Sequence, residues 1–105
     1  MNERKKQATS QKTLQEGKTS LKAIREAMEI SQFDFCVETG LLVSSVSKCE
    51  NGHSEIMFDI NQAKKFDDLI RLRLGISIHD LPNSLREPAP PEFVKLLEEI
   101  KMSRV

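Results

Sequence analysis

Long apolar runs are missing from this sequence of 105 residues. A helix that crosses a bilayer needs about 18 or more consecutive apolar residues, and a secretory signal needs an N-terminal apolar stretch followed by a cleavage site. The sequence contains neither pattern, which predicts a cytoplasmic protein. A chain of this length is expected to bury one modest core and therefore to carry one functional site.

An excess of charge of either sign is also missing, because 16 basic and 16 acidic side chains cancel. Nucleic-acid-binding proteins are usually visibly basic, so composition alone does not favour a nucleic-acid partner. Residues 1–20 nevertheless hold five basic residues, Arg4, Lys5, Lys6, Lys12 and Lys18. Because Leu14 is the only sizeable hydrophobic residue there beyond Met1, we predict a disordered basic arm over residues 1–19.

Cysteine and histidine are scarce. Cys36 and Cys49 lack the paired spacing of a metal-ligand set, and we expect them to be reduced, buried apolar residues. His53 and His79 are single and have no carboxylate or thiolate at catalytic or metal-ligand spacing. We therefore expect no catalytic residues, no metal and no cofactor, so that the protein is not an enzyme.

Strand-like alternation is absent as well, and apolar residues instead recur at helical spacing, which predicts an all-α fold. The first helix is expected to begin with Ser20 as its N-cap. A second helix over 31–39 should end where Gly40 adopts a positive φ, and a third over 42–50 should precede an Asn51-Gly52 turn.

Two further helices are expected before the chain becomes rich in proline. Asp59 and Gln62 resemble a capping box at the start of a long amphipathic helix that Gly75 ends. Ser77 with Asp80 repeats this signal and predicts a short fifth helix.

The chain is thus predicted to divide into the arm at 1–19, a helical domain at 20–85, a proline-rich linker at 86–91 and an amphipathic C-terminal helix at 92–105. The apolar residues of that last helix share one face, and they are Phe93, Leu96, Leu97 and Ile100. Because the prolines should hold the helix away from the domain in extended chain, we expect this stripe to pair with a second copy, which gives a homodimer, or with a protein partner.

Two short helices joined by a glycine turn form the unit with which many proteins bind DNA. Beyond this spacing, residues over 21–52 resemble, without a gap, the pattern of the Cro/phage-repressor (xenobiotic-response-element type) helix-turn-helix family. These residues are Leu21, Ile24, Arg25, Ile30, Ser31, Gln32, Phe35, Cys36, Gly40, Val46, Ser47, Lys48, Glu50, Asn51 and Gly52. The segment around Gly75 is similar to the closing part of the family. The resemblance implies a five-helix lambda-repressor-like helix-turn-helix domain, and a transcriptional regulator, a repressor, that binds double-stranded DNA with its third helix in the major groove.

The resemblance also implies roles for single residues. Gln32, at the start of the second helix, is expected to hydrogen-bond a DNA phosphate, and Asn51 to do so from the turn. The residues alone leave open that Gln32 is an ordinary first-turn residue and Asn51 only a left-handed helix cap. Arg25 and Glu50 match a partly buried salt bridge that orients the third helix, although a solvated pair is the alternative.

The groove-facing positions of the third helix are implied to be Val43, Ser44 and Lys48, flanked by Ser45 and Ser47. Lys48 is expected to reach O6 and N7 of a guanine, and Val43 to pack on a thymine methyl group. No Arg or Gln is present there for a bidentate base contact, so direct readout should be weak.

Other departures from the family pattern concern the fold. Leu42 stands where a Ser or Thr usually caps the recognition helix, which should remove about 1 kcal/mol of capping free energy. Cys36 stands where Ala is usual, and the segment between Gly52 and Gly75 is longer. The neutral net charge and the serine-rich reading face favour an alternative function, a protein-interaction or antitoxin-like module built on the same helices.

Overall fold

The computed structural model of the chain describes residues 18–103, and the regular secondary structure within them is helical. The five α-helices in this part of the chain are α1 (Ser20–Met28), α2 (Gln32–Thr39), α3 (Val43–Glu50), α4 (Ile60–Leu74) and α5 (Pro91–Ser103). The all-α prediction is confirmed for these residues, which contain no strand. Residues 1–17 of the predicted arm and the last two residues of the predicted C-terminal helix lie outside the described part. None of the helices between residues 18 and 103 has the length and apolar character that crossing a membrane requires.

The starts of α2 and α4 follow the predicted capping signals. The Ser31 hydroxyl accepts a hydrogen bond from the backbone N–H of Asp34. Asp59 and Gln62 each accept from the other's backbone N–H, which is a complete capping box. The predicted fifth helix is a single 3₁₀ turn, Ile78–Asp80, with a capping box of its own.

The ends of α2 and α4 need a left-handed residue, and glycine supplies it at both. Gly40 has φ +82° and Gly75 has φ +72°. A residue with a Cβ atom is strained in this conformation, whereas glycine is not. Both helices therefore end at a glycine, and the periodic apolar pattern stops at the same positions.

The N-cap of α1 is Thr19 rather than Ser20, and the predicted arm is wrong at its last two residues. The Thr19 hydroxyl accepts from the N–H of Lys22 and donates to the backbone carbonyl of Glu50 at 3.0 Å. Lys18 forms a 2.6 Å ion pair with Glu26 on α1. Both residues therefore belong to the folded domain.

The prediction that residues 86–91 hold the last helix away from the domain is also wrong. The N–H groups of Ser20 and Leu21 lie in the first turn of α1 and have no acceptor within their own helix. They donate to the carbonyl groups of Glu87 and Leu85 at 2.9 and 3.0 Å. Residues 85–87 bend instead of lying extended, and the carbonyl oxygens of Leu85 and Glu87 complete the start of α1 and so bind this part of the chain to the domain.

As a consequence, α5 packs against α1. Phe93 and Leu97 belong to the main hydrophobic core with only 4% and 5% of their surface exposed, and Leu96 and Ile100 pack partly buried against it. The predicted stripe is therefore covered by the chain's own core and is not free to pair with a second copy.

Aromatic side chains join α2 to α4 in the centre of the core. The rings of Phe35 and Phe66 meet edge to face with centroids 5.7 Å apart, and Phe58 stacks on Phe66 at 5.1 Å. On the surface, the Gln62 amide of α4 donates to the carbonyl of Gly40 at 2.9 Å. These contacts fix α4 behind the turn that connects α2 to α3.

Cys36 and Cys49 are free thiols in the core, as predicted. Burial is the main cause that raises the pKa of the Cys36 thiol, and the Glu50 carboxylate adds to it. Burial also raises the pKa of Cys49 to about 11. Both thiols are therefore protonated in the fold at neutral pH.

We expect Cys49 to make the fold less stable at alkaline pH. An unfolded thiol ionises near pH 9.0, whereas the folded one stays protonated up to about pH 11. The contribution of Cys49 is complete below pH 9 and is lost across this interval, because the unfolded chain then binds fewer protons. Urea unfolding at about pH 8 and about pH 10.5 measures the loss. A Cys49→Ala variant should lose less between the two pH values, and equal losses in both proteins would contradict the prediction.

Candidate nucleic-acid interface

The turn between α2 and α3 is held by buried hydrogen bonds within the chain. Thr39 is fully buried, and its hydroxyl donates to the Phe35 carbonyl at 2.8 Å and accepts from the Leu41 N–H at 3.3 Å. Leu41 is buried in the core beneath the turn. These contacts stabilise the turn that joins the two helices.

Glu50, at the end of α3, is the most buried carboxylate in the described part of the chain. Its side chain is 2% exposed and pairs with Arg25 of α1, whose side chain is 13% exposed. Arg25 donates to Glu50 from Nε at 2.6 Å and from Nη2 at 3.0 Å, and Nη1 donates to the Ile30 carbonyl at 2.8 Å. The hydrogen bond with Glu50 raises the pKa of Arg25. The predicted pair is thus present, and it joins α1 to α3 with two parallel hydrogen bonds.

Gln32 is the first residue of α2, as predicted, and it belongs to the same cluster. Its Nε2 donates to Glu50 Oε1 at 2.9 Å, so the start of α2 is linked to the end of α3. A side-chain amide carries two N–H donors, so one remains for an acceptor outside the protein. We call Arg25, Gln32 and Glu50 the Glu50 cluster.

The side of α3 opposite the core is exposed. It contains the exposed residues Val43, Ser44 and Lys48, with the half-buried Ser45 and Ser47 beside them. Val46 and Cys49 on the other side are fully buried. Since Glu50 is the only carboxylate of α3 and is paired with Arg25, the exposed side has one positive charge and no negative charge.

The start of α3 is unusual in its side chains. Leu42 is the N-cap residue, makes no capping hydrogen bond, as predicted, and is 70% exposed. Val43, the next residue, is 47% exposed. The sequence marked Leu42 only as a departure from a capping residue and did not predict a binding role for it.

One of the two roles predicted for Asn51, that of a left-handed helix cap, is wrong. Asn51 has φ −91° and ψ 4°, so it is not a left-handed cap, and the left-handed residue is Gly52 with φ +79°. The backbone N–H of Asn51 donates to Ser47 at 3.0 Å. Its side chain is exposed beside the end of α3.

Arg86 is a basic residue at this turn that the sequence did not identify. The Glu55 carboxylate accepts from the backbone N–H groups of Leu85 and Arg86 at 2.9 to 3.2 Å. The Arg86 carbonyl lies 3.6 Å from the point where a Cβ atom on Gly52 would be. Only tertiary contacts bring the backbone of this exposed arginine beside Gly52, in the turn after α3, so no local pattern could have shown it.

Helix α2 presents a second exposed surface of different character. Phe33 is 67% exposed and Val37, one turn later, is 63% exposed. Asp34 and Glu38 lie exposed next to them. This surface is apolar with an acidic border, unlike the exposed side of α3.

No protein-family model, curated protein or solved structure shows a significant match to this chain. The resemblance to the helix-turn-helix family therefore stays a prediction. In residues 18–103 no three histidine, cysteine or acidic side chains are grouped so that they could hold a metal ion.

Proposed function

We propose that this protein is a sequence-selective, double-stranded DNA-binding transcriptional regulator, acting as a repressor in the cytoplasm. In this proposal α2 and α3 form a helix-turn-helix of the lambda-repressor-like type, and α3 enters the major groove while α2 crosses the phosphate backbone. The observation that supports it best is the exposed side of α3, which has no negative charge and is held from behind by the Glu50 cluster. A groove about 12 Å wide accepts one α-helix with its side chains.

The proposal assigns base contacts to the exposed side of α3. Lys48 donates to guanine O6 or N7, and Val43 packs on a thymine methyl group. The hydroxyl groups of Ser44, Ser45 and Ser47 donate to or accept from base edges and phosphates. Because most of these side chains are short and the base contacts are few, we expect modest selectivity between DNA sequences.

In this proposal, residues that border the exposed side of α3 contact the DNA phosphates. The free N–H of the Gln32 amide and the N-terminus of α2 point at one phosphate, where the helix dipole favours an anion. Asn51 and Arg86 contact the backbone at the other end of α3. Two copies bound to a palindromic site would place their α3 helices about 34 Å apart, one turn of DNA.

Removing single contacts should change the salt dependence of binding in a characteristic way. We expect an electrophoretic shift with pooled random duplexes that weakens steeply as salt rises. Gln32→Ala and Arg86→Ala should weaken binding to all sequences about equally, and Arg86→Ala should reduce the salt slope by about 1. Lys48→Ala should cost about 1 to 3 kcal/mol on the preferred site and less on random DNA.

Lys95→Ala, on the exposed side of α5, is the matched control and should leave both affinity and slope unchanged. Equal losses on specific and random DNA for Lys48→Ala would make Lys48 a phosphate contact. Absence of any salt-dependent binding by the full chain would contradict the proposed function.

The exposed pair of Phe33 and Val37 favours a second candidate, a protein-interaction or antitoxin-like module. Apolar side chains grouped on one exposed surface are typical of protein contact sites. A Phe33→Ser and Val37→Ser double variant separates the candidates. It should bind DNA like the parent if α3 is the functional surface, since neither side chain belongs to that helix.

A further inference from the structure

Leu42 has the backbone of a helix cap without the side chain of one. Its φ of −81° and ψ of 142° are those of an N-cap residue, yet it makes no capping hydrogen bond. Seventy per cent of its surface is exposed, and Val43 beside it is 47% exposed. The helix that carries the candidate reading face thus begins with two apolar side chains in solvent, which we call the apolar tip.

The apolar tip is unfavourable for folding alone. Ser, Thr, Asp and Asn are preferred at the N-cap because their oxygen accepts a free N–H of the first turn. Leucine lacks that hydrogen bond, and most of its side chain stays exposed to solvent. Local choices that oppose the fold are expected at functional sites, and the rest of the fold compensates for the lost stability.

The tip lies on the helix that the proposed function places in the major groove. The C5 methyl group of thymine is the apolar group that base pairs present there, and cytosine lacks it. Lys48 is six residues further along α3, about 9 Å along the helix axis, so it contacts a different part of the groove.

We propose that Leu42 and Val43 together contact thymine methyl groups, so that the protein selects duplexes by apolar contact at the start of α3. This inference rests on the proposed function. Leu42 is then a specificity-determining residue. Its side chain contacts DNA and, as a consequence, does not form the capping hydrogen bond. The selectivity comes from these two side chains. The backbone N–H groups at the start of the helix do not contribute to it, because they would contact phosphates, which are the same in every DNA sequence.

The test uses deoxyuridine, which differs from thymidine only by the missing methyl group. Duplexes recovered by the full chain from a random library are resynthesised with single thymidines replaced by deoxyuridine, and Kd is measured at constant salt. One buried methyl group corresponds to about a fourfold change in Kd. We expect about this loss at one or two thymines of each site and none at the others.

Leu42→Ser is the decisive variant because it moves stability and recognition in opposite directions. Serine restores the cap, which should raise Tm by about 4 °C, and unlike threonine it has no methyl group to pack on thymine. The same variant should bind thymidine and deoxyuridine duplexes equally at the position that Leu42 reads. Leu72→Ser replaces an 81% exposed leucine in the middle of α4 and should leave the discrimination unchanged.

The outcomes separate this inference from the function on which it rests. Binding that is steeply salt-dependent but indifferent to deoxyuridine everywhere, or discrimination that persists at every thymine in a folded Leu42→Ser variant, overturns the inference and leaves DNA binding intact. If the full chain binds no duplex at low salt, the proposed function fails first. If Leu42→Ser instead lowers the molar mass of the free protein in light scattering, with no effect of deoxyuridine, the apolar tip is a protein contact and the inference is wrong.

Discussion

Replacing Glu50 with alanine is expected to lower the free energy of unfolding by about 3 to 5 kcal/mol. The substitution leaves the guanidinium of Arg25, which is 13% exposed, without its carboxylate partner. Gln32 loses its acceptor in the same step. A loss of this size is a large part of the stability of a small domain, and urea unfolding followed by circular dichroism measures it. DNA binding should fall with stability, because the Glu50 cluster supports α3 from behind.

The control for Glu50→Ala is a salt bridge on the surface that has one hydrogen bond. Arg71 Nε pairs with Asp67 at 2.7 Å one turn away on α4, with 58% of the Arg71 side chain exposed. Arg71→Ala leaves Asp67 its hydrogen bond from the Ile78 N–H and should therefore change stability far less than Glu50→Ala. In a double-mutant cycle, Arg25→Ala with Glu50→Ala should cost less than the two single changes added together. A Glu50→Ala variant that melts and binds like the parent would remove the bridge as a support of α3.

Replacing Phe93 with alanine is expected to lower stability by about 3 to 5 kcal/mol. The ring is 96% buried in the core between α5 and α1, since 4% of it is exposed, and alanine would leave a cavity there. Thermal or urea unfolding of the full chain measures the change. Met102→Ala on the same helix, where 73% of the side chain is exposed, should have little effect.

The same variant tests where the apolar stripe of α5 is used. If the stripe were a contact between copies, Phe93→Ala would lower the molar mass in light scattering and leave the stability of each copy nearly unchanged. We expect the opposite result. Phe93→Ala should lose much of its stability, and the molar mass of the still folded protein should not change.

Local features of the fold could be read from the sequence because each is decided within a few residues. The capping boxes at Asp59 and Ser77 join residues three apart, and Gly40 and Gly75 end helices by their own conformational freedom. The pairing of Arg25 with Glu50 was also predicted, although it spans 25 residues. It followed from the resemblance to a family and not from spacing alone.

The course of the chain after residue 82 could not be read in this way. Four prolines between residues 82 and 91 predict extended backbone, but residues 85–87 bend and Pro91 begins α5, and a proline-rich chain can lead away from a domain or run along it. The choice depended on the unpaired N–H groups of Ser20 and Leu21, which needed acceptors that their own helix does not offer.

By itself, therefore, the sequence determined which segments are helical, where α2 and α4 begin and end, and which face of each helix is apolar. Periodicity, capping and glycine conformations are short-range effects, so the surrounding fold is not needed to express them. Only the tertiary structure decided that α5 completes the core, that Thr19 caps α1, that Glu50 engages Gln32 and that Arg86 lies beside the end of α3. These arrangements join residues far apart in the chain, and they form because buried polar groups and apolar faces must find partners wherever the packed helices provide them.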